Sequence, residues 1–157
     1  IIHDSVLINN YIDFDKYNDE IHYLWHFGHN CNNLDGENEM MKLLHNNKII
    51  EKYDEKKWYG CFGAQTIITY NFIEKIQKKF KIFNLLNYID SRSKRMNFER
   101  IFSVLCTFIK EELYENKSIF GNIHDYIKWE YSYDEYLNDS KENKIDDYYL
   151  IKTWHGR

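Results

Sequence analysis

The sequence predicts an α/β fold, a mixed sheet flanked by helices, on three observations. Short β-branched and aromatic runs alternate along the chain with segments whose apolar residues recur at helical spacing. No internal repeat and no flexible linker interrupts the alternation. The 14 Tyr, 10 Phe and 4 Trp among 157 residues supply enough apolar bulk for one core, so residues 1–157 read as a single domain.

The opening IIHDSVLI predicts a short buried strand over residues 1–8, interrupted by His3, Asp4 and Ser5. Residues 9–20 are polar and acidic, a loop. IHYLWHF at 21–27 mixes alternation with aromatics and predicts a strand. The Asn-rich stretch 28–36 reads as a loop, with Asp35 as the N-cap of a helical segment over 37–53 carrying Met40, Met41, Leu44 and Ile49. WYGCFGAQTIIT at 58–69 combines two glycines with β-branched residues, either strand–turn–strand or a strand entering a helix. Phe72, Ile73, Ile76 and Phe80 line one face of a helix over 70–80. A short helical piece follows at 83–89. The clearest helix, 97–112, carries the stripe Phe98, Ile101, Phe102, Leu105, Phe108 and Ile109. SIFGNIHDY at 118–126 reads as a strand or irregular core segment, 131–143 as exposed and acidic, and YYLIKTW at 148–154 as a closing strand.

Charge narrows the function classes. The formal charge is −4, with acids and bases mixed along the chain. No long basic run follows a phosphate backbone, which argues against a nucleic-acid partner; Arg92, Lys94, Arg95 and Arg100 form the main basic cluster. Cys31, Cys61 and Cys106 lack metal-site spacing and read as reduced core thiols, an expectation that favours a cytoplasmic location. No apolar stretch approaches the roughly 20 residues of a membrane span, and no signal peptide is visible. The chain starts at Ile rather than Met, and its first residues read like the middle of a core strand. That predicts a piece of a longer protein.

In open α/β sheets ligands bind beyond the carboxyl ends of strands, where loops leave the core yet stay close to it. His3-Asp4-Ser5 and His155-Gly156-Arg157 both stand where that rule points. IIHDSVLI has the layout of the acidic motif of GT-A-fold glycosyltransferases, in which an apolar strand enters Asp-x-Asp and leaves into another apolar run. GCFGAQTIITYNFIEKI is similar to the Gly-containing strand and helix that such enzymes set against donor and acceptor. SRSKRMNFERIFSVL resembles the segment whose acidic residue faces the reaction centre. SIFGNIHDYIKW and KTWHGR also resemble glycosyltransferase-like proteins of large viruses and microbes.

That resemblance covers most of the chain and implies a partial GT-A domain, the C-terminal portion of a catalytic domain. It would take a nucleotide-sugar donor and a glycan or other hydroxyl acceptor. It implies Glu99 as general base or sugar-hydroxyl binder, Gly63, Ala64 and Gln65 lining the sugar and acceptor pocket, and His3, Asp4, Ser5 and His155 around a divalent Mn or Mg ion. The motif departs from the family: His3 and Ser5 stand where its two aspartates usually do, with Asp4 between them. The underlying chemistry is simple. A departing nucleoside diphosphate accumulates negative charge that a metal or cationic side chains must stabilise, and the acceptor hydroxyl must lose its proton. The guanidinium forks of Arg92 or Arg95 suit the diphosphate oxygens.

Each of these residues also has a structural reading. Asp4 can cap a turn, and Glu99 near a helix start is favoured by the helix dipole. Gly60 and Gly63 either let a ligand approach the backbone or make a turn. His22, His26 and His29 would share a helix face, but IHYLWHFGH favours a strand, which sets His29 apart. His124 reads as a core histidine, and any of Trp25, Trp58, Trp129 and Trp154 near the site would suit a sugar ring. Two rival functions remain open: a metal-dependent phosphoesterase or nuclease, and a non-catalytic carbohydrate- or protein-binding module.

Overall fold

The computed structural model describes residues 1–17, 20–29 and 34–155. In chain order its elements are β1 (Val6–Ile8), β2 (Ile21–Tyr23), β3 (His26–Phe27), α1 (Leu34–Lys42), α2 (Lys48–Asp54), β4 (Gly60–Cys61) and β5 (Thr66–Ile68). There follow α3 (Tyr70–Phe80), α4 (Arg92–Ile109), the short α5 (Leu113–Asn116) and α6 (Ile123–Tyr126), α7 (Tyr133–Lys141) and β6 (Leu150–Lys152). The chain mixes α and β as expected. The expected single mixed sheet is corrected: among the described residues the ladders are two-stranded and antiparallel, β1 with β6, β2 with β5 and β3 with β4.

Two of those ladders are halves of one interrupted hairpin. Tyr23 faces Thr66 and His26 faces Cys61, so Leu24 and Trp25 oppose Phe62, Gly63, Ala64 and Gln65. The surplus residues bulge out as a 3-10 turn, Phe62–Ala64, in which Gly63 and Ala64 take φ of 61° and 51°. On its other side the strand pairs in parallel with the extended segment after α5: Ile119 N–H donates to Tyr23 O and His26 N–H to Gly121 O. The strand–turn–strand reading of 58–69 holds, and the bulge is why the ladder breaks.

The first strand is not buried. Ile1, Ile2 and Ile8 are 63, 40 and 65% exposed, because β1 lies at an edge against β6 rather than between layers. His3-Asp4-Ser5 is a turn entering it.

α3 has the predicted bounds. Thr69 accepts from Phe72 N–H at its start, and Phe72, Ile76 and Phe80 are buried. α4 starts five residues before its expected start, capped by Ser91, whose hydroxyl accepts from Lys94 N–H. Asp35 lies inside α1 rather than capping it. Residues 131–143, read as an exposed acidic stretch, hold α7, whose start carries a reciprocal capping box between Ser132 and Glu135. No helix among the described residues is long and apolar enough to cross a membrane.

The apolar side chains gather in two clusters on either side of the interrupted hairpin. Ile21 and Tyr23 join Met40, Ile49, Tyr53, Trp58, Phe72, Phe80 and the buried stripe of α4. Leu24, Trp25 and Phe27 instead join Ile123, Ile127, Ile145 and Ile151. Gly60 sits directly beneath the Phe27 ring, and a Cβ there would overlap it. The Arg100 guanidinium lies 5.1 Å from the same ring. Gly60→Ala must therefore displace a buried ring, and should cost about 2–3 kcal/mol in urea unfolding. A cost near zero would mean that the Phe27 ring has room to move.

Candidate active site

α4 carries Arg92, Arg95 and Glu99 at intervals of three and four residues, which sets them along one stripe of the helix. The bulge packs against this helix, and the Gly63 N–H lies near enough to the Glu99 carboxylate to draw its pKa down. Gly63 is held in the left-handed region, and an added Cβ would stand 2.9 Å from Gln65 Nε2, so the turn needs glycine on both counts.

Glu99 is half-buried. Burial pushes its carboxyl up to about 7, against the opposing pull of the Gly63 N–H and of the cations Arg100, Lys152 and Arg95. Glu99 lies in the third turn of α4, eight residues into the helix, so a dipole-stabilised carboxylate at a helix start is not what the structure shows. A carboxyl that exchanges its proton near neutrality, beside a backbone N–H, suits proton transfer.

The polar trio reaches this site through its neighbours. The His3 N–H donates to Gln65 Oε1 at 3.3 Å, tying the opening turn to the end of the bulge. Gln65 is fully buried, and its Nε2 finds no hydrogen-bond partner among the described residues. The Ser5 hydroxyl accepts from the Lys152 ammonium, and Lys152 also donates to Thr153 O at 2.6 Å. Lys152 is 8% exposed, and its charge acts on Glu99. Glu99, Gly63, Gln65, His3, Ser5 and Lys152 thus form one connected group. Ala64 is the third residue of the bulge, between the two that make contacts.

The rest of the expected set falls into place less completely. Arg95 acts on Glu99 one turn away, whereas Arg92 is exposed at the first position of α4. The Asp4 side chain is 90% exposed and contacts the His3 ring, Oδ1 to Nδ1, at 2.6 Å. His155 pairs instead with Ser132, its carbonyl accepting from Tyr133 N–H at 3.0 Å. A Mn or Mg ion at the turn would meet one carboxylate, an imidazole nitrogen that also lies 2.8 Å from Ser5 Oγ, and a hydroxyl already held by an ammonium. That donor set fits a hard divalent cation poorly. No cluster of three or more His, Cys, Asp or Glu side chains able to hold a metal occurs among the described residues.

The histidine trio does not converge. His22 packs edge-on against Tyr17, His26 Nδ1 lies 2.7 Å from Ser118 Oγ, and the His29 ring meets the Trp58 carbonyl. His124 is exposed against Trp129 rather than in the core. Cys61 and Cys106 are buried free thiols, both pushed up by burial, while Cys31 lies outside the described residues. Two adjoining surface cavities, of about 250 and 450 Å³, meet at Tyr17 and Ile119 and include none of the site residues.

Sequence reasoning missed Lys152. Its signal is a lysine between Ile151 and Thr153 in an otherwise apolar closing strand, where a charge is costly to bury unless something uses it. No family model, no curated protein and no solved structure matches this chain.

Proposed function

We propose that this chain is the C-terminal portion of a GT-A-like glycosyltransferase domain, moving a sugar from a nucleoside-diphosphate donor to a hydroxyl acceptor. One observation carries the reading: a half-buried carboxyl on α4, pushed up to about 7 by burial, beside the Gly63 N–H and in the field of the cations Arg100, Lys152 and Arg95. In this scheme one Glu99 oxygen stays on the N–H while the other takes the acceptor's hydroxyl proton. The acceptor oxygen bonds to the sugar's anomeric carbon as the bond to the diphosphate oxygen breaks, and the electron pair leaves with the nucleoside diphosphate. Arg95 and Lys152, with Arg92 further along the stripe, supply positive charge for that leaving group. The partly exposed bulge residues Gly63 and Ala64 offer backbone hydrogen bonds to sugar hydroxyls, with Gln65 buried behind them to fix the turn. A phosphoesterase gains no comparable support, because its histidines are dispersed.

The test is equilibrium binding of UDP, GDP, UDP-glucose and GDP-mannose, with release of nucleoside diphosphate measured with and without Mg²⁺ or Mn²⁺. Binding and release are expected in both conditions. Arg95→Ala, at an exposed position, should weaken diphosphate binding about tenfold. The proposal is overturned if none of the four ligands binds and none is turned over in either condition. Cleavage of a nucleic acid or phosphodiester instead would also overturn it.

A further inference from the structure

An aromatic row leads from the bulge to the surface. The Phe62 ring, next to Gly63, stands 6.1 Å from Trp154; Trp154 stands 5.0 Å from Trp129, and Trp129 stands 5.2 Å from His124. Trp154 is half-buried, and its backbone N–H donates to Tyr131 O at 3.0 Å. The Lys152 ammonium lies 5.0 Å from the Trp154 ring. Trp129 is 49% exposed, the most exposed of the four tryptophans. By contrast Trp25 and Trp58 are fully buried.

We infer that Trp129 and Trp154 form a platform for a neutral sugar ring on the acceptor side of the Glu99 site; the assignment of that side rests on the function proposed above. A pyranose presents an apolar C–H face and a rim of hydroxyls, which matches an indole face bordered by polar atoms. The polar border is His124, with exposed Asp125 beside it in α6. An anionic ligand is disfavoured here, because Lys128, the neighbour of Trp129, pairs with Glu135 at 2.5 Å and the exposed carboxylates Asp125 and Glu130 flank the indole in sequence. The row begins at Phe62, the residue before Gly63 in the bulge that packs against the helix of Glu99, so it starts on the element that bounds the proposed site.

The burial of Trp25 and Trp58 makes intrinsic fluorescence a selective reporter. Cellotetraose, mannotetraose and chitotetraose are titrated to millimolar concentration, without nucleotide, into the whole chain, into Trp129→Ala and into Trp129→Phe. At least one tetraose should shift or quench the emission and protect it from iodide. Trp129→Ala should weaken that binding about tenfold, and Trp129→Phe should restore most of it. Trp129 is half exposed, so both variants should retain the fold, checked by circular dichroism. The platform is overturned if no tetraose changes the emission, if Trp129→Ala responds like the parent, or if UMP alone gives the change. Sugar binding without any nucleotide-sugar turnover would keep the platform and remove the transferase reading, leaving a carbohydrate-binding module.

Discussion

Glu99→Gln is expected to lower the transfer rate by about 10²- to 10⁴-fold while making the protein more stable above neutral pH. Glutamine keeps the size of the side chain and can still accept from the Gly63 N–H, but it cannot take a proton. The stability gain follows from linkage. Between about pH 4.5 and 7 the folded chain keeps a proton that the unfolded chain has released, so stability falls as pH rises through that window and is level above it. The ionised carboxylate costs roughly 2–3 kcal/mol after discounting for the water that reaches a half-buried group. Removing it should raise the melting temperature at pH 8 by about 4–8 °C and flatten the parent's decline between pH 5 and 7. The parent's rate should climb to a plateau above about pH 7, and any rate left in the variant should lack that step. A variant with full activity would remove Glu99 from the chemistry. A melting temperature that does not rise at pH 8 would mean that the carboxyl is well solvated.

Arg100→Met carries the largest expected loss of stability, about 3–5 kcal/mol. Arg100 is 4% exposed, and its Nε lies 3.4 Å from the Glu37 carboxylate, which is fully buried and accepts from the Tyr53 hydroxyl. This group joins α1, α2 and α4. Removing the guanidinium leaves a carboxylate inside the apolar cluster with its main counter-charge gone. The same substitution made together with Glu37→Gln should recover much of the loss, since no buried charge is then stranded. Urea unfolding at pH 7 of both single variants and the double variant measures the coupling. Losses that simply add would show that the two side chains do not act as a pair.

What sequence reveals here is whatever is local. α3 is legible because its apolar residues repeat every three or four positions and Thr69 caps it. The start of α4 is hidden because Arg92 to Met96 are exposed or nearly so, leaving no apolar period to mark the first turn. α7 has few apolar residues on a continuous face, yet Ser132-Tyr133-Asp134-Glu135 spells a capping box that marks its start. The interruption at His3–Ser5 is legible as a break, but its burial is not: the Ile residues around it would suit a core and instead cover an edge. The site is only half legible. Glu99, Gly63 and Gln65 stand out as types, but the packing that brings Gly63 beside Glu99 spans long sequence separation and depends on how many residues the bulge adds. Lys152 becomes meaningful only when β6 pairs with β1 and brings it to Ser5.

The bulge also works as an interlock. Phe62 leans into one apolar cluster and Ala64 into the other, with Gly63 between them. The amide that steadies Glu99 is therefore aimed only when both halves of the molecule are assembled. A chain with either half loosened would keep much of its helix content but lose the packing of the bulge on α4, so the raised Glu99 pKa should vanish on warming before the helices do.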